Sequence, residues 1–333
     1  MKTSVFLPTD FESAQAYRGA MLAWEDPHGR MVSNGTGCIL WDWSWRALLG
    51  ARGADARNWL HGMLTANVRE LAPGALAPSF VLNARGHILG TLLIAALADD
   101  AFVLLTDEQQ RLSLYSHLRR YIIREKVEFC DYGESSVASL AIWGAQAESC
   151  LNRAGLPTPP RMRMETLKPE SAWLLHMRWG MGEVWELASA GDGLADWAWR
   201  LEAAGAAWEL GALQERARVA WGVPLFGQDI RERDLPQETR QMDALDFHKG
   251  CYLGQEIVER IRARGQVHRG LYRLHFPGPV EAGMAILKAG QAAGEITSAA
   301  RLSSGEGAAL GYVRDAQPGE RVRVGELEGV LEE

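Results

Sequence analysis

The 333-residue chain is 47% hydrophobic and 23% charged, the balance of a folded globular protein and not of a disordered one. Its net charge of −7 argues against a nucleic-acid-binding face over the whole molecule, although a local basic patch stays compatible with it. The length predicts two domains, or one large and one small.

The opening stretch, MKTSVFLPTDFES, has one lysine and a short apolar run before Pro8, unlike a secretory signal. The longest mainly apolar stretch, Ile88–Ala98, is about half of the roughly 20 residues that cross a bilayer. A cytoplasmic protein without membrane contact is expected. Cys38, Cys130, Cys150 and Cys251 are far apart and form no C-x-x-C pair, so free thiols are expected, with no resident metal site. Asn34-Gly35-Thr36 reads as a turn. Thirteen tryptophans against seven tyrosines permit a stacking pocket for a ring-shaped ligand without requiring one.

Strands are expected over Ile88–Leu97 and Ala101–Leu105, around the turn Ala98-Asp99-Asp100. Thr106-Asp107-Glu108-Gln109 has capping-box spacing, and Leu112, Tyr115, Leu118 and Ile122 follow at helical spacing as a buried stripe. Lys126–Cys130 and Val137–Trp143 read as strands, and Gly144–Ala154 as a helix ended by Gly155. The run Leu156-Pro157-Thr158-Pro159-Pro160 predicts an internal hinge, because proline continues neither helix nor sheet. Beyond it come strands Ala172–Arg178 and Glu183–Ala188, a helix Leu194–Ala204 before Gly205, and a helix Leu213–Trp221. Two rounds of β-β-α order favour an α+β fold over a doubly wound sheet. From Gly270 onward, short apolar pieces separated by Gly and Pro predict a small β-barrel or sandwich. The expected division is a body over 1–262 and a β-domain over 263–333.

Residues 248–256, HKGCYLGQE, place a thiol between two glycines and beside a lysine. A free cysteine is often a small buried hydrophobe, yet those usually sit among apolar neighbours. A cation two residues away and a helix beginning near Gly254 each favour thiolate over thiol, while the glycines admit close backbone approach. The pattern points to a reactive or ligand-contacting cysteine.

Lys249-Gly250-Cys251-Tyr252-Leu253-Gly254-Gln255-Glu256 resembles the K-G-C-Y-x-G-Q-E signature of the YgfZ/Iba57 family. These are folate-binding relatives of the glycine-cleavage T-protein. Gly37-Cys38-Ile39-Leu40-Trp41-Asp42, Leu82-Asn83-Ala84-Arg85-Gly86 and Arg218 with Gly222–Gly227 resemble further stretches of that superfamily. The resemblance implies a T-protein-like body, tetrahydrofolate as ligand, and support of iron–sulfur enzyme assembly or repair. Cys251 would be the working thiol and Lys249 its electrostatic partner. Gly250, Tyr252, Gly254, Gln255 and Glu256 would shape the loop.

Glu186 matches the carboxylate that holds the pterin in T-proteins, since a carboxylate accepts two parallel N–H bonds. Asn83, Arg218, Trp185 and Trp221 complete the implied folate contacts, each with a packing role as its alternative. Gly90 and Thr91 stand where aminomethyltransferases carry their catalytic acid, and neither works as a general base. Whether any reaction is catalysed stays open.

Arg260, Arg262, Arg264, Arg269 and Arg273 place five cations within fourteen residues, suited to a polyglutamyl tail, to RNA, or to an ordinary charged face. Client iron–sulfur proteins or assembly factors and tRNA are the implied partners. Two other readings remain, a folate-dependent aminomethyl or methyl transferase and an RNA-binding accessory to tRNA modification.

Overall fold

A computed structural model describes residues 37–133, 138–168, 172–189, 194–209, 211–265 and 267–332. The turn expected at Asn34–Thr36 lies outside them, as does the side chain of Arg264. The first half contains strands β1 (Cys38–Asp42), β2 (Arg46–Arg52), β3 (Leu76–Leu82), β4 (Ile88–Ala98), β5 (Ala101–Asp107) and β6 (Glu128–Asp131), with helices α1 (Ala56–Met63) and α2 (Glu108–Arg119). The middle holds β7 (Ala138–Trp143), α3 (Ala147–Arg153), β8 (Arg163–Leu167), β9 (Ala172–Trp179), β10 (Gly182–Ser189), α4 (Leu194–Ala203), β11 (Ala206–Trp208) and α5 (Gly211–Ala220). Helix α6 (Gln255–Arg264) precedes β12 (Arg269–Phe276), β13 (Ala285–Lys288), β14 (Gln291–Arg301), β15 (Gly307–Arg314), β16 (Arg321–Val324) and β17 (Leu327–Glu332). This is the expected α+β class.

Two compact units divide the chain. The first takes residues up to Leu60, Val68–Pro78 and Leu92–Gln214; the second takes His61–Asn67, Ser79–Thr91 and Glu215–Glu333. Both are discontinuous, because β3, β4 and α1 each begin in one unit and end in the other. The proline run 156–160 falls inside the first unit, between α3 and β8. The barrel strands begin at Arg269, and the second unit that holds them starts its last segment at Glu215.

Within the first unit, six strands run in the order β11-β1-β7-β10-β9-β8, antiparallel except for β1 with β11. Leu40, Leu140, Ile142, Leu174 and Leu187 turn one face of this sheet toward Cys150, Leu151, Leu194 and Leu201 of α3 and α4. A five-stranded sheet has the order β3-β4-β5-β2-β6. In the second unit β12-β15-β14-β13-β16-β17 close on themselves. Closure brings backbones very near each other. A Cβ on Gly294 would stand 1.8 Å from the Tyr312 carbonyl oxygen, so only glycine fits at that crossing. Strand β17, which closes the barrel against β12, is absent from the sequence-based expectation: its Leu-Glu-Gly-Val-Leu-Glu has few of the usual strand formers in series.

The start of α2 departs from expectation. Thr106 stays in the β5 ladder opposite Ala47, and Asp107 takes the cap position without a side-chain cap bond. The buried face carries Gln110, Arg111, Leu114 and Leu118, while Leu112 is 60% exposed. Arg111 pairs with Glu108 and with Asp131 of β6, and those ion pairs rotate the helix away from the purely apolar stripe.

Candidate functional site

The loop before α6 is built within the second unit. Asp246 Oδ1 accepts the backbone N–H groups of His248 (2.7 Å) and Lys249 (3.0 Å), a side-chain turn that starts the reversal. Lys249 then points inward and is 7% exposed. Its ammonium donates to the carbonyl oxygens of His61 (2.6 Å), Leu64 (2.5 Å) and Ala66 (2.8 Å), at and just beyond the end of α1. Carbonyls at a helix C-terminus lack intrahelical donors and carry partial negative charge, so a cation there meets both needs. The Tyr252 ring lies 4.8 Å from the same ammonium.

Two backbone bonds hold the loop on either side. Asp246 N–H donates to Thr65 O (3.1 Å) and Leu253 N–H to Gly62 O (3.0 Å). Gly254 adopts φ +85°, and a Cβ there would stand 2.5 Å from Asn83 O. Gly86 is equally tight: its Cβ would meet Ile257 at 2.7 Å. The turn after β3 thus seats directly against the start of α6. Asn83 Oδ1 shapes that turn by accepting Arg85 N–H (2.9 Å) and His87 N–H (3.1 Å). Gln255 Oε1 accepts Tyr252 N–H at 3.3 Å. Between these anchors Gly250 and Cys251 are exposed, as is Glu256 in the first turn of α6.

Of the four cysteines, Cys251 alone is exposed. Burial pushes the Cys38 thiol up, reinforced by its hydrogen bond with Cys150, and burial followed by Glu128 raises Cys130. Those are thiols kept protonated by their surroundings. Lys249, expected as the electrostatic partner of Cys251, has its three ammonium protons matched by three carbonyls and acts as a clamp on the loop. The segment 61–67 that receives it carries no recognisable motif; the one hint is that no glycine follows the end of α1 at Met63, which leaves carbonyls to be met by another donor.

Of the residues nominated for folate, Glu186 and Arg218 have their polar atoms engaged within the protein. Glu186 is fully buried, and its oxygens accept from Arg46 Nε (3.1 Å), Arg46 Nη2 (2.9 Å) and Ser139 Oγ (2.6 Å). Arg218 is 1% exposed, and its five N–H groups meet Glu215 twice, Val223 O, Asp229 and Ser298. Trp185 stacks on His176 at 4.2 Å and packs on the first unit's core, while Trp221 is half-buried at the end of α5. The Asn83 Oδ1 is used in its own turn. Gly90 and Thr91 lie within β4.

The arginine cluster disperses. Arg269 turns inward to Asp234 and Glu238 and lies over Tyr312, and Arg273 binds Ala220 O and Glu332. Arg262 covers Phe247 and pairs with Glu259; Arg260 is exposed. The four of these arginines whose side chains are described therefore make no single anion site, because a strand and a helix aim them differently. Among the described residues no three His, Cys, Asp or Glu side chains gather as metal ligands, and no helix is long and apolar enough to cross a membrane.

Residues 6–249 match the family model described as the GCVT N-terminal domain. The chain belongs to this family. The YgfZ/Iba57 resemblance drawn from residues 249–256 is borne out by relatives of those names. This GCVT-domain chain is 28% identical over 259 residues to the iron-sulfur cluster assembly factor IBA57 homolog, mitochondrial, of Coccidioides immitis. That match covers 71% of this chain and 57% of the relative, so the chain spans little more than half of that protein. It is also 28% identical over 239 residues to the tRNA-modifying protein YgfZ of Edwardsiella ictaluri, covering 68% and 67%. Its fold is similar to glycine cleavage system aminomethyltransferase T from Bartonella henselae, at TM-score 0.80 and 22% identity, over 90% of this chain and 86% of that one. The T-protein-like fold expectation holds.

Proposed function

We propose that this protein supports the assembly or repair of iron–sulfur enzymes through the thiol of Cys251. The observation that carries this reading is a loop clamped at Lys249 and Leu253 with an exposed cysteine midway between them. A cysteine buried for packing needs no such frame. The iron–sulfur role named for the IBA57 relative supports it.

The chemistry follows from what one side chain offers. A single thiolate supplies one soft ligand to iron or one nucleophilic sulfur, whereas a stable mononuclear site needs three or four donors. Cys251 therefore works together with groups on a client protein, which is the cargo's owner and not a resident cofactor. Lys249, Gly254 and Gln255 keep the loop in shape.

Membership in the GCVT-domain family supports tetrahydrofolate as a ligand, although Glu186 and Arg218 have their polar atoms engaged within the protein. Aminomethyl transfer is not proposed, because Gly90 and Thr91 provide no acid. Support of tRNA modification is the second reading, favoured by the name of the YgfZ relative and by exposed Arg260 and Arg262 on α6.

The test is complementation of a strain lacking this gene, reading a client iron–sulfur enzyme's specific activity with Cys251→Ser. Client activity should collapse while the variant's amount and unfolding midpoint match the wild type. A folded Cys251→Ser protein with full client activity sinks the thiol reading. Salt-dependent tRNA binding lost in Arg260→Glu/Arg262→Glu, with client activity intact, favours the second reading.

A further inference from the structure

We infer that Glu186 is the fixed counter-ion of Arg46, an internal staple between two sheets, and that Arg46 closes this carboxylate to any amine-bearing heteroaromatic ligand. The inference is independent of the thiol reading.

Both residues belong to the first unit. Glu186 lies in β10 of the six-stranded sheet, and Arg46 opens β2 of the five-stranded sheet. The ion pair therefore ties one sheet to the other. Its geometry is two parallel bonds, Nε to Oε1 at 3.1 Å and Nη2 to Oε2 at 2.9 Å. A guanidinium and a carboxylate match in this way because each is planar with two polar atoms at similar spacing. Ser139 of β7 adds a third bond to Oε1.

The cation is held as firmly as the anion. Its guanidinium carbon lies 5.1 Å from the Trp43 ring centre and 5.0 Å from that of Trp45. Trp43 is fully buried and Trp45 is 7% exposed; Trp43 packs on Trp179 at 5.4 Å. Arg46 thus has indole rings against it and a carboxylate at its edge.

An aminopterin-like edge recognises a carboxylate by offering two parallel N–H donors, the same pattern that Arg46 presents. The tethered guanidinium has no association entropy to lose, whereas a free ligand has. Displacing Arg46 would also strand a charge among tryptophans, and an uncompensated buried charge is strongly unfavourable. The alternating Asp42-Trp43-Ser44-Trp45-Arg46 stretch is the sequence element that builds this closure.

The experiment combines calorimetry and unfolding on the full chain, with 5-formyltetrahydrofolate as the probe. Variants are Glu186→Gln, Arg46→Met and the double variant, which replaces the pair by neutral groups of similar size. Each single variant should lower the thermal midpoint, and the double should recover more than half of the summed loss. The folded double variant should bind the probe within twofold of wild type, or neither should bind. Overturning results are a single variant of unchanged midpoint, a double that recovers half or less or fails to fold, or probe affinity weakened more than twofold in the double.

Discussion

Two buried charges in this molecule do opposite things for what surrounds them. In the first unit Glu186 meets a side-chain cation, and the pair neutralises itself inside a shell of tryptophans. In the second unit Lys249 meets three backbone carbonyls and the Tyr252 ring, and Cys251 in the loop it anchors is exposed. One charge closes a site and the other props one open. Buried charge alone is thus no mark of a ligand site; what matters is whether its partners leave a reactive group exposed.

The largest effect is expected at the lysine. Lys249→Met removes the donor shared by three carbonyls, and unsatisfied buried groups cost about 1–3 kcal/mol each, so a loss of roughly 3 kcal/mol in unfolding free energy is expected. Denaturant titration measures it. Unchanged stability together with slower alkylation of Cys251 would restore Lys249 as the thiol's partner and break the comparison.

Gly254→Ala tests the same loop from its other side. The residue's φ of +85° and the 2.5 Å approach to Asn83 O predict a loss of about 1–3 kcal/mol by the same titration. A silent substitution would mean that the turn at 83–87 does not brace the loop.

A smaller effect belongs to Glu209 in the first unit. Burial raises its pKa, partly offset by the Trp41 Nε1 hydrogen bond at 2.9 Å. A carboxyl group with a raised folded pKa binds its proton more tightly in the native state. Stability therefore falls as pH rises from the unfolded carboxylate range through the folded pKa, and is level above it. Glu209→Gln keeps an acceptor for Trp41 and removes that penalty. Its thermal midpoint should lie above wild type at neutral pH, with the advantage vanishing in acid. A midpoint difference that is the same at both ends contradicts the burial argument.

The smallest effect on stability is expected at the exposed cysteine, where Cys251→Ser should stay within about 0.5 kcal/mol of wild type. A thiol reagent should modify Cys251 in the native protein and reach Cys38 and Cys150 only on unfolding. Protection of Cys251 until unfolding would make the two regions alike, both closed.

By itself the sequence determined the α+β class, most strand and helix centres and the signature loop, because hydrophobic period and glycine or proline punctuation act over a few neighbouring residues. The expected strand Glu183–Ala188 falls within Gly182–Ser189, and Gly205 follows α4 with φ +96°. Only the tertiary structure decided how the charges pair. Arg46 and Glu186 are 140 positions apart, and Lys249 reaches carbonyls 183 to 188 positions earlier. No local pattern encodes such partners, since a side chain's choice among acceptors depends on which surfaces folding brings within hydrogen-bonding distance. Arg218 and Arg269 illustrate the same point. In the chain each looks like a free cation available to a ligand, and in the fold each faces carboxylates that removal from water obliges it to pair with.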